Sequence, residues 1–358
     1  MPCVTARTYI RPVGRVLSPA GGADLLSALR IAGRADLAFA AAEVIERDGA
    51  SLRRRMYSAA DLLAGGAGAA AQPILDRLQQ PRRDIAGVAF DRPRLMGIIN
   101  VTPDSFSDGG RFLAPDAAVA HALRLEAEGA DILDIGAEST RPGAQPVGVE
   151  EECARVLPVI AALAGKVRVP ISIDTRKAEV MRRAARAGAR VINDVSALTH
   201  DTESLAAVAE FGLPVVLMHA QGDPRTMQVE PRYDDVVLDV CDMLLARIEA
   251  CERAGIPRER LIVDPGIGFG KTLAHNLALL GSLSLLHGLG CPVLLGASRK
   301  SFISRLTGAD ADGRLPGSLA AALLGAAQGV QMLRVHDVAA TRQALAVWQG
   351  AASGPPAA

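Results

Sequence analysis

The sequence predicts a (β/α)8 barrel, the TIM-barrel architecture of the α/β class, preceded by an N-terminal extension. From Arg94 onward, short runs rich in Ile, Val and Leu alternate with longer helical stretches rich in Ala, Glu and Arg. This alternation is typical of βα units that feed a parallel sheet. Nearly every apolar run also ends in a polar residue, as expected where strand ends line the functional face of a barrel.

Eight runs qualify as strands, and their number decides the fold. They are Leu95–Ile99, Ile132–Ile135, Val169–Ile173, Val191–Asn193, Val215–Met218, Leu261–Val263, Val293–Leu295 and Met332–Val335. The clearest helical stretches are Asp116–Glu128, Lys177–Ala187, Asp234–Ala254 and Gly317–Gly329. Eight units in roughly 260 residues match a closed barrel, whereas an open doubly wound sheet normally uses fewer strands.

The polar residues at the predicted strand ends form a series along the chain. They are Asn100, Asp134, Asp174, Asn193, His219, Asp264, the Ser298-Arg299-Lys300 stretch, Arg334 and His336. Any single Asp or Asn in such a turn could simply cap the following helix. A series that repeats at nearly every strand end instead predicts one functional face.

Residues 1–90 differ from the rest because they lack the repeated strand pattern and contain an Ala/Gly-rich tract between Ala59 and Ala71. We predict an extension with one amphipathic helix over about Leu37–Glu46, joined weakly to the barrel by a flexible Gly-rich link. The barrel itself is assigned to residues 91–350. Residues 351–358 are predicted to be a flexible tail.

Composition excludes several classes of partner. Lys and Arg total 39 against 39 Asp and Glu, so no overall field would attract nucleic acid or an anionic membrane. The five cysteines are scattered without a CxxC pair, which disfavours both a disulfide framework and a zinc knuckle and fits a reducing compartment. No apolar leader or bilayer-length apolar run is evident. We therefore expect a cytoplasmic protein.

Two long polar turns stand out after the first two strands. The first reads NVTPDSFSDGGRF over residues 100–112, and the second reads DIGAESTRPGA over residues 134–144. The second places Thr140 and Arg141 together, a pairing suited to gripping a carboxylate. Later turns read ISIDTRKAEV, INDVSAL, LMHAQGDPRTMQ, DPGIGFGKT, GASRKSF and RVHDV. The glycines of DPGIGFGKT are read as allowing close backbone approach to a flat ligand rather than as a P-loop.

With these motifs at successive strand ends, the chain resembles the dihydropteroate synthases from about Arg94 to Trp348. Ala137 replaces the second Gly of a typical GGEST, and Ala220 stands where Met is common, so every polar side chain is kept. The resemblance implies a transferase that joins (7,8-dihydropterin-6-yl)methyl diphosphate to 4-aminobenzoate, releasing pyrophosphate and 7,8-dihydropteroate. It also implies sensitivity to sulfonamides and a homodimer, with apolar positions on the last helices available for the interface.

The resemblance assigns the site residues in three groups. Pterin and diphosphate are assigned to Thr140, Asp174, Asn193, Asp264, Lys300, Arg334, Val335 and His336. 4-Aminobenzoate is assigned to Thr140, Arg141, Pro142, Phe269, Ser298 and Arg299. Arg334, His336 and Lys300 are the expected catalytic residues, and Asn100 is the expected oxygen ligand to a Mg2+ that keeps most of its waters. These side chains supply the acceptors, donors and cations that a pterin edge and a diphosphate require.

The implied reaction is a dissociative displacement in which pyrophosphate leaves before the neutral aniline nitrogen attacks. An aniline is already unprotonated near pH 7, so no strong general base is required. Two alternatives remain open at this stage. A pterin-dependent methyltransferase barrel would have no use for the two long loops. A non-catalytic pterin-binding relative would be expected to have lost Asn100, Arg141 or Arg334, all of which are present.

Overall fold

The computed structural model describes residues 6–17, 28–101, 114–138, 146–222 and 227–353, and it confirms the predicted barrel. The barrel strands are β5 (Arg94–Asn100), β6 (Ile132–Gly136), β7 (Ile171–Asp174), β8 (Val191–Asp194), β9 (Val215–Met218), β10 (Leu261–Asp264), β11 (Leu294–Leu295) and β12 (Met332–Val335). All are parallel, in the order β10-β9-β8-β7-β6-β5-β12-β11. A parallel bridge between Val263 and Val293 closes the barrel. Both ends of every predicted strand lie within two residues of the observed ends.

Helices surround this barrel, as the alternating pattern predicts. They are α3 (Ala114–Glu128), α4 (Val149–Leu163), α5 (Ala178–Ala187), α6 (Ser204–Phe211), α7 (Val236–Arg253), α8 (Leu273–Leu280), α9 (Ser301–Thr307), α10 (Leu315–Ala327) and α11 (Val338–Ser353). A 3-10 helix at Leu283–Leu289 follows α8. The predicted flexible tail begins three residues too early, because α11 continues to Ser353. Residues 354–358 lie outside the described part. Among the described helices, none is long and apolar enough to cross a membrane.

The interior of the barrel is built in two layers. The lower layer is an apolar cluster of Met96, Ile132, Val191, Val216, Ile262, Leu294 and Met332. Ile85, Val88 and Phe90 belong to the same cluster and close its floor. Because side chains alternate across a strand, the next inward-facing position lies two residues further on. Those positions include Asp134, Asn193, Asp264 and Arg334, so a polar layer lies directly above the apolar one.

The N-terminal region is a four-stranded antiparallel sheet, not the predicted helix and link. Its strands are β1 (Arg7–Leu17), β2 (Leu29–Arg30), β3 (Leu37–Asp48) and β4 (Ser51–Ser58), followed by α1 (Ala59–Leu63) and α2 (Gln72–Gln79). The helix predicted over Leu37–Glu46 is wrong. β3 pairs with β1 on one side and with β2 and β4 on the other, and these non-local hydrogen bonds override its Ala-rich composition.

The sheet is also more tightly joined to the barrel than predicted. Tyr9 and Ile45 are buried in the main barrel core, and the Tyr9 hydroxyl donates to Asp242 Oδ1 at 2.7 Å. Arg47 Nη1 donates to Asp239 Oδ1 at 2.6 Å. Both acids lie on α7, so the sheet packs against the side of the barrel. The Ala/Gly-rich tract, in turn, begins with helix α1, whose Ser58 forms a capping box.

Candidate active site

Arg334 lies at the centre of the polar layer, where the carboxyl ends of the strands meet. Its Nε donates to Asp134 Oδ2 and its Nη2 donates to Asp174 Oδ2, both at 2.6 Å. Asn193 Nδ2 donates to the same Asp134 oxygen at 3.0 Å. The Arg334 guanidinium on β12 thus bonds directly to acids on β6 and β7. Asp134 connects it to Asn193 on β8. The strand order brings β5, β6 and β12 together, so residues that are 200 positions apart in sequence come into contact.

The charges in this cluster are strongly coupled. Burial raises the pKa of the Asp174 carboxyl, the Arg334 guanidinium opposes that rise, and Asp134 adds to it. Burial alone would lower the pKa of Arg334, but the carboxylates of Asp134 and Asp174 raise it above its ordinary value. Asp134 Oδ1 is buried without a hydrogen-bond partner among the described residues. A ligand that presents N–H donors would satisfy this acceptor.

A second group of side chains lies across the layer. Asp264 is buried and its Oδ1 accepts a bond from the Gly266 amide at 2.7 Å. Lys300 Nζ donates to the Ile267 carbonyl and lies 4.6 Å from the centroid of the Phe269 ring. Burial lowers the pKa of Lys300 to about 8 despite the nearby carboxylate of Asp264, while burial raises the pKa of Asp264.

Gly296 keeps the space between these groups open. A Cβ atom placed there would lie 3.5 Å from Asp264 Oδ2 and 3.8 Å from Lys300 Nζ. The absence of a side chain at this position therefore leaves room for a flat ligand between an acceptor and a donor. Among the described residues, Lys300 bonds to a backbone carbonyl and forms no salt bridge with the strand-end acids.

The glycine-rich turn after β10 also has a structural basis within the chain itself. Gly266 has a φ of +67°, and a Cβ there would lie 1.8 Å from the carbonyl oxygen of His219. The glycine is therefore required by the close approach of two turns of this chain. Lys271 is almost fully buried beneath the same turn, with its Nζ 2.9 Å from both His219 Nδ1 and the Phe269 carbonyl.

Ser298 and His336, which the sequence assigned to different ligands, are in direct contact. Ser298 Oγ lies 3.0 Å from His336 Nδ1 and accepts the His336 backbone N–H at 3.2 Å. Arg299 is about half exposed and its guanidinium is held by Asp337, with Nε 2.8 Å from Oδ2. The carboxylate-binding part of the predicted site is thus adjacent to the predicted leaving-group part.

The remaining predicted residues fall into three groups. Asn100 ends β5, is partly buried, and its side chain makes no hydrogen bond within the described part of the chain. Val335 was predicted to bind ligand, but its side chain is buried in the core between barrel and helices, so only its backbone can face the site. Thr140, Arg141 and Pro142 lie outside the described residues, as does most of the first long loop.

Sequence reasoning missed two residues of this layer. Asp134 was noted as a strand-end residue but was not assigned to the site, although it is fully buried and bonds to both Arg334 and Asn193. An acid in the middle of the all-buried strand ILDIG was an available signal, because such an acid needs a partner. Lys271 was considered only as part of a rejected P-loop spacing, and no local pattern predicted its burial.

A separate cleft in the described structure lies at the opposite end of the barrel. It has a volume of roughly 630 Å3 and is lined by residues such as Asp84, Pro170, Arg190 and Glu259. The strand starts that surround it carry no converging layer of buried polar side chains. The carboxyl end of the barrel therefore remains the candidate active site.

Comparison with known proteins bears on the same region. The family model of pterin binding enzymes matches residues 96–336. The dihydropteroate synthase of Escherichia coli K12 is 50% identical over 263 residues, covering 73% of this chain and 93% of that protein. Dihydropteroate synthase of Xanthomonas albilineans with 4-aminobenzoic acid aligns with a TM-score of 0.72 and 56% identity, over 77% of this chain and 99% of that one. The dihydropteroate synthase of Yersinia pestis with a sulfonamide drug complex aligns with a TM-score of 0.72 and 47% identity. The alignment covers 76% of this chain and 99% of that one.

Proposed function

Because this chain belongs to the dihydropteroate synthases within the pterin-binding enzymes, we propose that its polar barrel layer condenses a dihydropterin methyl diphosphate with 4-aminobenzoate. The products are 7,8-dihydropteroate and pyrophosphate, and the chain is a transferase of folate synthesis. The observation that carries the assignment of roles is the Arg334 cluster with Asp134 and Asp174, which lies beside the open space bounded by Asp264 and Lys300.

The pterin occupies the space above Gly296 in this proposal. Its N–H edge donates to buried acceptors, and the unpartnered Oδ1 of Asp134 and the carboxylate of Asp264 are the available groups. Asn193 contributes its amide oxygen, since its nitrogen is already bonded to Asp134. Lys300 donates to the ring carbonyl and nitrogen. A pocket with acceptors on one side and a cation on the other matches this substrate and excludes ligands of the opposite polarity.

The diphosphate is bound by Arg334 and His336. Arg334 Nη1 makes no hydrogen bond to the described residues, so it is available to a phosphate oxygen. The amide oxygen of Asn100 fits a Mg2+ that is held mainly by the diphosphate and by water, since the described residues contain no cluster of three His, Cys, Asp or Glu. Such an ion would neutralise diphosphate charge when bound. The fixed charge of Arg334 stabilises the negative charge that grows on the leaving oxygen.

The bond between the pterin methylene carbon and the diphosphate oxygen breaks first, and its electron pair leaves with pyrophosphate. The lone pair of the aniline nitrogen then forms the new C–N bond, after which that nitrogen releases one proton. In this proposal the aromatic ring is received by Phe269, whose ring lies 4.6 Å from Lys300 Nζ, and by Ser298, which contacts His336. Arg299 binds the carboxylate of 4-aminobenzoate while its guanidinium also bonds to Asp337. Thr140, Arg141 and Pro142 contribute to the same 4-aminobenzoate site, as the family resemblance implies.

This proposal is favoured over both earlier alternatives. The match to dihydropteroate synthases extends over almost their entire length, which supports neither a methyltransferase barrel nor a pterin carrier. The decisive experiment measures pyrophosphate release from the dihydropterin diphosphate with and without 4-aminobenzoate. Release with dihydropteroate formation that depends on both substrates is expected. An unchanged pterin substrate under all conditions would contradict the proposed function.

Sulfonamides provide an independent test of the 4-aminobenzoate site. They present a similar aniline with a sulfonyl group in place of the carboxylate, so they should compete with 4-aminobenzoate and not with the pterin. The sulfonamide bound to the Yersinia pestis enzyme supports this expectation. Inhibition that 4-aminobenzoate cannot relieve would count against the roles of Ser298 and Arg299.

We also propose a cytoplasmic homodimer. The described cysteines, Cys153, Cys241, Cys251 and Cys291, are free and buried, which fits a reducing compartment. Leu306, Leu324 and Val347 are exposed by 59%, 40% and 70% on α9, α10 and α11, which supports an apolar interface formed by the last helices. Light scattering of the purified protein distinguishes a dimer from a monomer.

A further inference from the structure

We propose that Lys271 is a positioning residue for this reaction, because its buried ammonium group fixes the turn that carries Phe269 and that holds Lys300. The inference rests on the proposed function, since it concerns the same pterin and 4-aminobenzoate pocket. Lys271 itself lies beneath the turn with about 1% of its surface exposed, so it cannot reach a substrate directly.

The ammonium group has three acceptors within reach. Nζ lies 2.9 Å from the Phe269 carbonyl, 2.9 Å from His219 Nδ1 and 3.4 Å from the His219 carbonyl. A lysine ammonium carries three donors, so each one can be directed to an acceptor. The side chain thereby ties the turn after β10 to the end of β9. A Met side chain of similar length would fill the space but would make none of these bonds.

The rest of the turn is held by neutral groups. Gly268 N–H donates to Asn276 Oδ1 at 2.7 Å, and the Gly268 carbonyl accepts from Gln228 at 2.6 Å. The Gly270 carbonyl accepts from the Tyr233 hydroxyl at 2.8 Å. The Phe269 carbonyl is bonded to Lys271 alone among the described side chains. Loss of this bond should therefore affect the position of Phe269 more than the fold of the turn.

The charge of Lys271 also acts on the pocket. No carboxylate lies within ion-pair distance of it in the described structure, and the titratable groups around it are His219, Tyr233, Asp264, His275 and Lys300. Burial and the like charge of Lys300 lower the pKa of Lys271 to about 7, although the carboxylate of Asp264 opposes this change. Burial and Lys271 together lower the pKa of His219 to about 3, which leaves a neutral ring whose Nδ1 can accept a hydrogen bond.

Lys271 loses its proton near pH 7, before Lys300 does near pH 8, so Lys271 is largely neutral where Lys300 titrates. The hydrogen bonds of the Lys271 ammonium group are therefore complete below about pH 7 and weaken as the pH rises through that value. The KM for 4-aminobenzoate should rise over the same range in the wild-type enzyme. A residue that only filled space would leave this KM independent of pH there.

The experiment compares Lys271→Met, Lys271→Arg and the control Lys166→Met, which changes an exposed lysine at the opposite end of the barrel. For Lys271→Met we expect a roughly tenfold rise in KM for 4-aminobenzoate, since one hydrogen bond from a charged donor is lost. In this variant the KM should no longer rise as the pH passes through about 7, because the group that titrates there is gone. Pyrophosphate affinity should not change. Lys271→Arg keeps a charge that does not titrate in this range, so its KM, although raised, should not depend on pH. Lys166→Met should behave as wild type, including the rise in KM through about pH 7.

A KM for 4-aminobenzoate that is unchanged by Lys271→Met, or that rises through about pH 7 in that variant as it does in wild type, would overturn the proposal. If Lys271→Met does not fold, the proposed arrangement can be tested on the wild-type enzyme. Its ring 15N spectra should show a neutral His219 with an unprotonated Nδ1 from about pH 5 to about pH 8. Titration of that ring near pH 6.5 would contradict the arrangement. Failure of the wild-type enzyme to release pyrophosphate would instead refute the proposed function, so the two failures are distinguishable.

Discussion

The two layers inside the barrel come from the same strands but have opposite chemistry. Ile262 belongs to the apolar lower layer and Asp264, two residues later, belongs to the polar upper layer; Met332 and Arg334 repeat the relation on β12. Successive side chains of a strand point to opposite faces, so a step of two residues keeps the same face while moving about 7 Å along the strand. The residues that stabilise the barrel and the residues that carry its chemistry are therefore only two positions apart on each strand.

The layers also differ in what burial costs. The lower layer gains free energy from removing apolar surface from water. The upper layer places Asp134, Asp174 and Asp264 near Lys271, Lys300 and Arg334, and such buried charges are retained against a desolvation penalty. Changes in the upper layer should therefore alter activity more than stability. Changes in the lower layer should do the reverse.

The largest expected effect comes from removing the cation at the centre of the upper layer. Arg334→Met should lower kcat/KM by about 10²- to 10³-fold, because the leaving group loses its fixed charge and Asp134 and Asp174 lose their partner. Steady-state pyrophosphate release measures the loss. Arg253→Met, which changes an exposed arginine on α7, is the matched control. Nearly normal turnover in a folded Arg334→Met enzyme would show that the upper layer does not carry the chemistry.

The corresponding change in the lower layer is Ile262→Ala. It leaves a cavity in a fully buried cluster and should cost about 3 kcal/mol of unfolding free energy. Urea denaturation measures this value, and turnover per folded molecule should remain close to that of wild type. A large fall in kcat with little loss of stability would show that the two layers are not separable.

Asp174→Asn sharpens the comparison within the upper layer. Because Asp174 bonds to Arg334, the pterin and leaving-group parts of the site cannot be fully independent. The substitution should weaken both bare-pterin and pyrophosphate binding by about 1 to 2 kcal/mol. Asp264→Asn, which does not touch Arg334, should weaken only the pterin. Calorimetry with a hydroxymethyl pterin and with pyrophosphate plus Mg2+ separates the two outcomes.

The pH dependence of turnover tests the charge of Lys300. Its pKa is lowered to about 8, so the ammonium form predominates below that value and is lost as pH rises through it. Activity should therefore fall about tenfold between pH 8 and pH 9 to 9.5, on the alkaline limb. Lys300→Arg should remove this limb while lowering the maximum rate. A limb that persists in Lys300→Arg would have to come from another group.

The smallest predicted effect lies outside the barrel, where the N-terminal sheet meets α7. Tyr9→Phe removes the hydrogen bond to Asp242 and should cost about 1 kcal/mol of stability without changing turnover. A single unfolding transition is expected, since Tyr9 belongs to the barrel core. Two separate transitions, with only the first shifted, would mean that the sheet folds as an independent unit.

The sequence predicted the barrel accurately because the relevant signals are local. Each strand is a short apolar run with a polar end, and each is followed by a helical stretch that can be recognised from its own residues. The N-terminal region lacked such signals. The stretch Leu37–Glu46 is rich in Ala and was therefore predicted to be a helix, yet it forms the central strand of a sheet because its partners come from both sides of it in the chain.

Some features of the candidate site were also predicted from the sequence, whereas others became evident only in the structure. Motif positions placed Asp174, Asn193, Asp264, Lys300 and Arg334 in one layer, and their strand-end positions and order came from the sequence. Only the tertiary structure decided that Arg334 bonds to Asp134, that Ser298 contacts His336, and that Lys271 is buried beneath the Phe269 turn. Residue type and the two-residue alternation of a strand determine which side chains face inward. Their hydrogen-bond partners and the burial of their charges depend on closure of the barrel, which brings distant strands together.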